Sequence, residues 1–256
     1  MSTLSRLFVD TDLATGLRHE LAQSQAHYLR DVMRLKPGAA VRVFNGRDGE
    51  WRADVSDVTK RAVTLTITDR LRVQPETAPG PSLLFAPLKK TRTDFAIEKA
   101  TELGASMICP VTTARTQTAR IKPERLEALA MEAAEQTERL DVPGVADLVP
   151  LDQALDDWPA DNVLIFCDEA GDDDGAPWGG AAGRALPMQS VLADLPAETR
   201  GGVLIGPEGG FSADERKTLR SKSFVRPVTL GPRILRAETA VVSALTIWQS
   251  VLGDWR

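Results

Sequence analysis

Two short segments near the C-terminal end of the chain decide its fold, VLIGPEGGF at 203–211 and LGPRILRAETA at 230–240. In each, an apolar run stops at a glycine, and a segment typical of a helix start follows. In open α/β sheets, the loops that follow the strands hold ligands. We therefore expect these two loops to line one site for a small ligand.

The overall composition is that of an ordinary globular protein, with 43% hydrophobic and 26% charged residues among 256. This length allows one large domain or two modest ones. Residues 1–21 contain no continuous apolar segment, and the most apolar helix-like stretch, 237–252, is too short to span a bilayer. We expect a cytoplasmic protein without a signal peptide and without membrane association.

Cysteine and histidine are scarce in this chain. Cys109 and Cys167 are far apart, and both histidines, His19 and His27, fall near the N-terminus. Such an inventory excludes a closed zinc site of the usual kind and makes a Ser-His-Asp or Cys-His pair hard to assemble. We expect no bound metal, and we expect both cysteines to be small buried apolar side chains.

The net charge of −5 argues against a nucleic-acid partner when it is taken alone, but the charge is unevenly distributed. Residues 1–72 carry 12 Lys and Arg against 9 Asp and Glu, whereas the rest of the chain carries 19 against 27. Between Arg139 and Arg184 there are 11 acidic residues and no basic one. This polarity fits a protein with one basic face for a nucleic acid, and ordinary surface variation explains it equally well.

Residues 1–72 have a pattern of short strands that predicts a small β-barrel domain. The segment 40–44 alternates between apolar and other residues and ends in Asn45-Gly46, a strong hairpin signal. Before it, 22–35 reads as one helix that stops at Pro37-Gly38. Three prolines and a glycine then mark 73–81 as a semi-rigid linker.

From 82 to 256 the pattern changes to strands that alternate with helices, which predicts an α/β domain with a largely parallel sheet. Pro123 suits the first position of a helix, and Ser212 with Glu215 forms a capping box. The acidic, glycine-rich segment 172–183 is typical of a surface loop. The predicted strands are 82–86, 107–111, 162–167, 202–205 and 225–230.

The two glycine turns have side chains suited to a ligand. In the first, Pro207 stiffens the backbone, and Glu208 can accept hydrogen bonds from hydroxyls or an amine. In the second, Arg233 and Arg236 can bind a carboxylate or a phosphate beside a helix N-terminus. Neither turn matches a phosphate-binding loop with a Lys-Ser/Thr pair or a GxGxxG motif. A plain tight turn before a capped helix is the alternative interpretation of each.

These motifs resemble those of a known family. GPEGGFSADE at 206–215 with LGPRILRAETA at 230–240 resembles the signature of the SPOUT superfamily, the S-adenosylmethionine-dependent RNA methyltransferases with an α/β trefoil-knot fold. The closest resemblance is to the small-subunit ribosomal RNA methyltransferases that methylate a uridine at N3. HYLRDVMRLKPG at 27–38 resembles that family's PUA-like RNA-binding module, and KATELG at 99–104 with AAEQ at 133–136 resembles its central helices. The resemblance covers the whole length, and it is most specific in the two C-terminal turns.

One departure from the family pattern is visible after 133–136. Many relatives carry a small residue and then a basic one at this point, whereas this chain has Thr137-Glu138-Arg139. The departure leaves open whether Arg139 does the same job one position later.

The resemblance implies that S-adenosyl-L-methionine lies bent between three loops, and that the protein is a homodimer with this site near the subunit interface. Val241, Ala244, Leu245 and Trp248 share one face of the terminal helix, which fits such an interface and fits burial within one subunit equally well. The implied cofactor-binding residues are Phe166, Asp168, Glu169, Leu204, Ile205, Gly206, Glu208, Gly209, Gly210, Leu230, Gly231, Ile234, Leu235 and Arg236.

Uracil N3 carries a proton and is a poor nucleophile until that proton is lost. We therefore expect Arg233 or Arg236 to stabilise the uracil anion, with Glu238 or Glu208 as a proton acceptor. Each Glu is equally compatible with a structural role beside an arginine or a helix end. The residues expected to contact the RNA are Arg6, Arg30, Arg34, Lys89, Lys90 and Arg92.

Two other functions stay open at this point. The first is methyl transfer to another base or to a ribose 2′-hydroxyl. The second is a non-catalytic RNA-binding factor of ribosome assembly that has kept the fold as a scaffold. The sequence also leaves open whether the partner is free small-subunit ribosomal RNA or the assembled small subunit.

Overall fold

The computed structural model describes residues 4–76, 80–118, 120–173 and 175–256. The chain divides into two compact units, one of residues 1–77 with 134–142 and one of residues 78–133 with 143–256. The sequence-based boundaries 1–72, 73–81 and 82–256 stay a prediction, and residues 77–79 of the predicted linker lie outside the described residues.

The N-terminal unit is built on one five-stranded sheet with the order β1-β3-β4-β5-β2. β1 and β3 pair in parallel and the other neighbours are antiparallel. The β3–β4 hairpin contains Asn45-Gly46, as the sequence predicts, and Gly46 has φ of 81°. The strands are β1 (Arg6–Phe8), β2 (Arg18–Glu20), β3 (Ala40–Phe44), β4 (Glu50–Val58) and β5 (Val63–Arg72).

The helix predicted over 22–35 is shorter in the structure. It consists of α1 (Gln23–His27) and a π-helical turn at Tyr28–Val32, and Arg34 then takes a left-handed φ of 54°. Leu29 is fully buried in the core of this unit, whereas Tyr28, Val32 and Met33 are exposed. The helical segment ends before Leu35 because Arg34 leaves the right-handed helical region.

The second unit contains a parallel sheet with the order β11-β13-β10-β12-β6-β7-β8, and β9 pairs with β7. Every pairing in it is parallel, as the alternation of strands and helices predicts. Its strands are β6 (Ser82–Phe85), β7 (Met107–Thr112), β8 (Gly144–Val145), β9 (Val149–Pro150), β10 (Val163–Cys167), β11 (Leu186–Pro187), β12 (Gly201–Ile205) and β13 (Val225–Thr229).

Two helices of this unit begin where the sequence signals them, whereas the helix expected to start at Thr93 begins at Lys90. α3 starts at Pro123, and Ser212 caps α6 in a complete capping box with Glu215. The helices are α2 (Lys90–Glu102), α3 (Pro123–Gln136), α4 (Leu151–Asp156), α5 (Met188–Ala193), α6 (Ala213–Ser221) and α7 (Ala237–Val251). The last three residues of α3 belong to the N-terminal unit.

The apolar face of α7 is buried within its own subunit. Val241, Ala244, Leu245 and Trp248 are each at most 3% exposed, and α7 contacts α2, α5 and β12. Of the two interpretations of this face, burial within the subunit is therefore the one that the structure supports.

The sheet order brings three loops together. β10 lies between β13 and β12, and all three strands run in the same direction. Their carboxyl ends therefore meet at one edge, where the chain leaves β10 at Cys167, β12 at Ile205 and β13 at Thr229. Within the described residues, no helix is long and apolar enough to cross a membrane.

Candidate active site

A cavity of about 380 Å³ opens where β10, β12 and β13 end. This volume is in the range of small-molecule sites in proteins. The wall is formed by three stretches of chain and one side chain of α2, and its members are Arg92, Cys167, Glu169, Trp178, Ile205, Gly206, Pro207, Glu208, Val228, Thr229, Leu230, Gly231, Arg233, Ile234, Leu235, Arg236, Ala237 and Ala240.

The turn after β12, residues 206–211, is tightly built. The backbone N–H of Gly210 donates to the carbonyl of Pro207 at 2.8 Å, and Gly210 takes a left-handed φ of 67°. A Cβ at Gly206 would lie 2.5 Å from the ring of Phe211, which packs edge-on against Phe166. Only glycine therefore fits at Gly206 without displacing a buried aromatic ring.

The turn after β13, residues 230–236, is more open. Gly231 has φ of 124°, and its N–H and carbonyl both contact the hydroxyl of Thr229. The side chains of Arg233, Ile234 and Arg236 are exposed and line the cavity. Since Arg236 also precedes the first residue of α7, positive charge collects at this wall from both the side chains and the helix N-terminus.

Arg92 of α2 connects two carboxylates at the site. It forms an ion pair with Glu208, and its Nε lies 3.7 Å from Oε1 of Glu238. The second oxygen of Glu238 is buried and has no hydrogen-bond partner among the described residues. Glu208 lines the cavity, whereas Glu238 is not part of its wall.

The loop after β10 contributes an acidic group to the cavity. Burial raises the pKa of the Glu169 carboxyl above its ordinary value of 4.5, and the neighbouring charge of Asp168 adds to this shift. Asp168 itself is 2% exposed and forms ion pairs with Arg216 and Arg220 of α6. The two adjacent acids therefore differ, one facing the cavity and one fixed inside the protein.

Most of the residues predicted to bind a cofactor lie in the cavity wall. They are Glu169, Ile205, Gly206, Glu208, Leu230, Gly231, Ile234, Leu235 and Arg236, and of the predicted catalytic residues Arg233 and Arg236 lie there too. Phe166 and Leu204 are not part of the wall, and their side chains are fully buried in the hydrophobic core. Gly209 and Gly210 are not part of the wall. The carbonyl of Gly209 accepts from Arg115, and a Cβ at Gly210 would lie 3.5 Å from Oε1 of Glu169.

Sequence reasoning missed Trp178. This side chain is 51% exposed and lines the cavity from the loop after β10. The available signal was a Pro-Trp-Gly-Gly sequence inside a segment interpreted as a surface loop. Arg92 was predicted to contact RNA, and its position in the wall was not foreseen.

Arg6 is buried in the N-terminal unit. Its side chain pairs with Glu50, donates to the carbonyl of Ala134 at 2.7 Å, and lies 4.0 Å from the centre of the Phe44 ring. These contacts fasten the segment 134–142 to the β-sheet of the same unit. The structure therefore gives Arg6 a structural role in place of the predicted contact with RNA.

The other predicted RNA-contact residues are more accessible. Arg34, Lys89 and Lys90 are exposed. Arg30 is partly covered, since it donates to the carbonyl of Lys60 at 2.6 Å and to Asp31, and this contact lowers the pKa of the Asp31 carboxyl to about 2. Of the five remaining cations, these three are therefore the ones that are exposed to solvent.

The cysteines are not arranged for chemistry. Burial raises the pKa of the Cys109 thiol to about 11 and that of Cys167 further still. Within the described parts of the chain, no group of three or more His, Cys, Asp or Glu side chains could hold a metal ion.

Comparison with known families defines the class of protein. Residues 78–249 match the family described as RNA methyltransferase domain, and residues 21–68 match the RNA methyltransferase PUA domain. The first match covers the whole cavity wall. The fold and the site are therefore those of an RNA methyltransferase with a PUA-like module, and the predicted fold class is confirmed.

Individual relatives identify the family within this class of RNA methyltransferases. Ribosomal RNA small subunit methyltransferase E of Rickettsia conorii is 31% identical over 94% of this chain and 93% of its own length, and the protein of that name from Synechocystis is 34% identical over 88% and 70%. This chain therefore belongs to the ribosomal RNA small subunit methyltransferase E family. The family and the class of enzyme predicted from the two turns are both confirmed.

Two solved structures support the same assignment. Ribosomal RNA small subunit methyltransferase E from Neisseria gonorrhoeae, bound to S-adenosyl methionine, is 25% identical with a TM-score of 0.84 over 99% of this chain and 100% of its own. A putative methyltransferase of Legionella pneumophila, in complex with the bound cofactor SAM, is 27% identical with a TM-score of 0.80 over 96% and 97%.

Proposed function

We propose that this protein transfers a methyl group from S-adenosylmethionine to N3 of a uridine in small-subunit ribosomal RNA. The observation that carries the proposal is the cavity enclosed by the ends of β10, β12 and β13, in a chain of the ribosomal RNA small subunit methyltransferase E family. Both solved relatives described above contain S-adenosylmethionine. A ribosomal RNA substrate makes the cytoplasm the proposed location.

The cavity wall suits this cofactor. Ile234 and Leu235 offer apolar surface to an adenine ring, and the Glu169 and Glu208 carboxylates can accept hydrogen bonds from ribose hydroxyls or an ammonium group. Glycine at position 206 leaves room for the Phe211 ring, so the turn that lines the cavity keeps its shape. When bound, the cofactor supplies a sulfonium methyl that is already a strong electrophile, so the protein mainly contributes position and charge.

The remaining chemical task is to make uracil N3 nucleophilic. Loss of its proton leaves an anion, and a cationic wall lowers the free energy of that anion. Arg233 and Arg236 line the cavity, and both are exposed, so their guanidinium groups are available to the target base. We therefore assign the stabilisation of the uracil anion to this pair.

A carboxylate is the proposed proton acceptor. Glu238 has one oxygen near Arg92 and a second, buried oxygen without a partner among the described residues. An unpartnered buried oxygen has the capacity to accept a proton or a hydrogen bond when substrate and cofactor are in place. Glu208 lines the cavity and forms an ion pair with the same Arg92, so both carboxylates are candidates for the proton acceptor.

RNA contacts are proposed at Arg30, Arg34, Lys89, Lys90 and Arg92. Such cations contact phosphates, so they orient the RNA without selecting the base. A homodimer is likewise proposed, from the family resemblance. The mass of the protein in solution tests it, because the single chain has a mass of 27.8 kDa.

Nucleoside mass spectrometry of small-subunit ribosomal RNA from a deletion strain tests the function. We expect 3-methyluridine to disappear and to return when the wild-type gene is restored. Loss of another methylated base or of a 2′-O-methyl nucleoside would instead assign a different target. Calorimetry with S-adenosylmethionine separates the non-catalytic alternative, because a scaffold would show no binding even at millimolar ligand.

A further inference from the structure

The loop that follows β10, described over residues 168–173 and 175–185, is held together by backbone hydrogen bonds although it contains many small residues. Its backbone closes on itself through N–H groups that donate from Gly171 to Trp178, from Asp172 to Ala182 and from Asp173 to Gly179, at 2.8 to 3.0 Å. A Cβ at Gly171 would lie 2.0 Å from the carbonyl oxygen of Gly179. The two halves of the loop are therefore in direct backbone contact at Gly171 and Gly179, and no side chain fits between them.

Two arginines of α6 anchor this loop. Arg216 and Arg220 each donate from Nε to a carboxylate oxygen of Asp168 at 2.9 Å, and both also contact Asp172. Arg216 donates to the carbonyl of Ala170 at 2.9 Å, and Arg220 to the carbonyl of Gly183 at 3.2 Å. Charge-assisted bonds around a buried carboxylate are among the stronger polar contacts in proteins, so both ends of the loop are held to one helix.

Trp178 lies at the far end of the anchored loop in a strained conformation. Its φ of 57° and ψ of 28° are left-handed, which is unfavourable for a bulky residue. Its side chain is nevertheless 51% exposed and lines the cavity. A strained backbone that keeps a large apolar ring half in solvent, beside a cavity, is a known feature of ligand-binding positions.

We propose that Trp178 stacks against the adenine ring of the cofactor, and that Arg216 and Arg220 are positioning residues that hold it there. This inference rests on the proposed function, since it names a contact of the same cofactor. Adenine is the planar group that matches an indole face, and the apolar side chains of Ile234 and Leu235 lie in the same wall. The target uracil is the other planar group that could reach this ring, and the experiment separates the two.

Calorimetric titration of S-adenosylhomocysteine tests the contact in three variants. We expect Trp178→Ala to bind about 10-fold more weakly than the wild type, because base stacking on an aromatic side chain has about this effect. Trp178→Phe should recover most of the affinity. Trp255→Ala is the matched control, since Trp255 is also half exposed, at 54%, and lies outside the cavity wall.

Different failures have different meanings. If the wild type does not bind the ligand, the proposed function itself is overturned. If the wild type binds and Trp178→Ala binds equally well, the adenine contact is overturned while the function stands. A Trp178→Ala variant with unchanged ligand affinity but a raised KM for RNA assigns the ring to the target base and also overturns the proposal.

A double-variant cycle tests the positioning role. We expect Arg220→Gln to weaken S-adenosylhomocysteine binding, and we expect the Arg220→Gln/Trp178→Ala protein to bind no more weakly than Trp178→Ala alone. Losses that add up would show that Arg220 acts independently of Trp178. Thermal denaturation of each variant confirms that it is folded, and the Trp178 and Trp255 variants keep the test valid if Arg220→Gln is unstable.

Discussion

The two glycine turns at the cavity have similar sequences, Gly-Pro-Glu-Gly-Gly and Gly-Pro-Arg, but they are built differently. Three sets of hydrogen bonds fix the first turn, 206–211. They are the backbone bond from Gly210 to Pro207, the bond from Arg115 to the carbonyl of Gly209, and the capping box of α6. The second turn, 230–236, is braced by the Thr229 hydroxyl, and most of its side chains are exposed.

The difference indicates that the two turns have different roles in the same cavity. A braced turn keeps a fixed surface for a ligand that binds in every catalytic cycle, which lowers the cost of ordering on binding. An exposed cationic turn is suited to a large substrate that must arrive and leave. We therefore assign the fixed part of the cofactor site to the first turn. The exposed arginines of the second turn are assigned to the developing charge of the target base, while Ile234 and Leu235 of that turn contact the cofactor.

Removing the cations of the second turn should have the largest effect. We expect Arg233→Gln/Arg236→Gln to lower kcat by about 100-fold or more, since loss of preorganised charge stabilisation has effects of this size. Single-turnover methylation of small-subunit RNA measures it. Arg226→Gln, at an exposed arginine of β13 outside the cavity wall, is the matched control and should keep full activity. Normal turnover in the double variant would remove the pair from the chemistry.

Within the first turn, two glycines should respond differently to the same change. A Cβ at Gly206 meets the Phe211 ring at 2.5 Å, whereas a Cβ at Gly209 meets Arg115 at an ordinary 3.5 Å. We expect Gly206→Ala to lower the free energy of unfolding by about 1–3 kcal/mol through overpacking. It should also weaken S-adenosylhomocysteine binding, because the turn that is displaced lines the cavity. Gly209→Ala should bind as the wild type does, and equal losses in both variants would show that the turn acts through backbone flexibility alone.

The capping of the helices that follow the two turns gives a smaller, structural contrast. The Ser212 hydroxyl accepts from the N–H of Glu215 at 3.2 Å, whereas the side chain of Arg236 makes no capping hydrogen bond to α7 among the described residues. We expect Ser212→Ala to lower stability by about 1 kcal/mol, which corresponds to a fall in Tm of about 2–4 °C. Arg236→Ala should leave Tm almost unchanged. A calorimetric melt that reverses this order would contradict the contrast.

The smallest effect concerns Glu169, the acidic residue that the loop after β10 contributes to the cavity. Because the folded state raises the pKa of Glu169 above 4.5, the stability of the wild type falls as pH rises through the folded-state pKa and the buried carboxyl ionises. We expect Glu169→Gln to have a higher Tm than the wild type at about pH 8, where the wild-type carboxyl must ionise in its buried position. The gain should disappear below the unfolded-state pKa, where both side chains are neutral. A gain that is independent of pH would exclude ionisation as its cause.

The sequence predicts the positions of the strands and helices better than the details of the candidate site. Strand and helix positions follow from apolar periodicity, Pro123 and the Ser212 capping box, because these signals are local. Most positions of the cavity wall were predicted from the family resemblance, because the glycine turns alone also fit plain tight turns before capped helices. Arg6 shows the limit, because its burial depends on Glu50 and on the distant segment 134–142, which no local pattern reveals.

Trp178 and Asp168 show the same limit in the site itself. The sequence indicates a surface loop at 172–183, but the bonds from Arg216 and Arg220 that shape it come from a helix more than 30 residues away. Asp168 was expected at the cofactor and instead receives these two arginines inside the protein. Which acid of an Asp-Glu pair faces a cavity is decided by such tertiary contacts.

A crystal structure with S-adenosylhomocysteine tests the central claim most directly, because it shows whether the cavity is the cofactor site. We predict that the ligand lies between the turn at 206–211 and the turn at 230–236, with its adenine against Trp178 and with Arg233 facing the remaining open side. Electron density for the ligand at any other place on the chain, with this cavity left empty, would contradict the account.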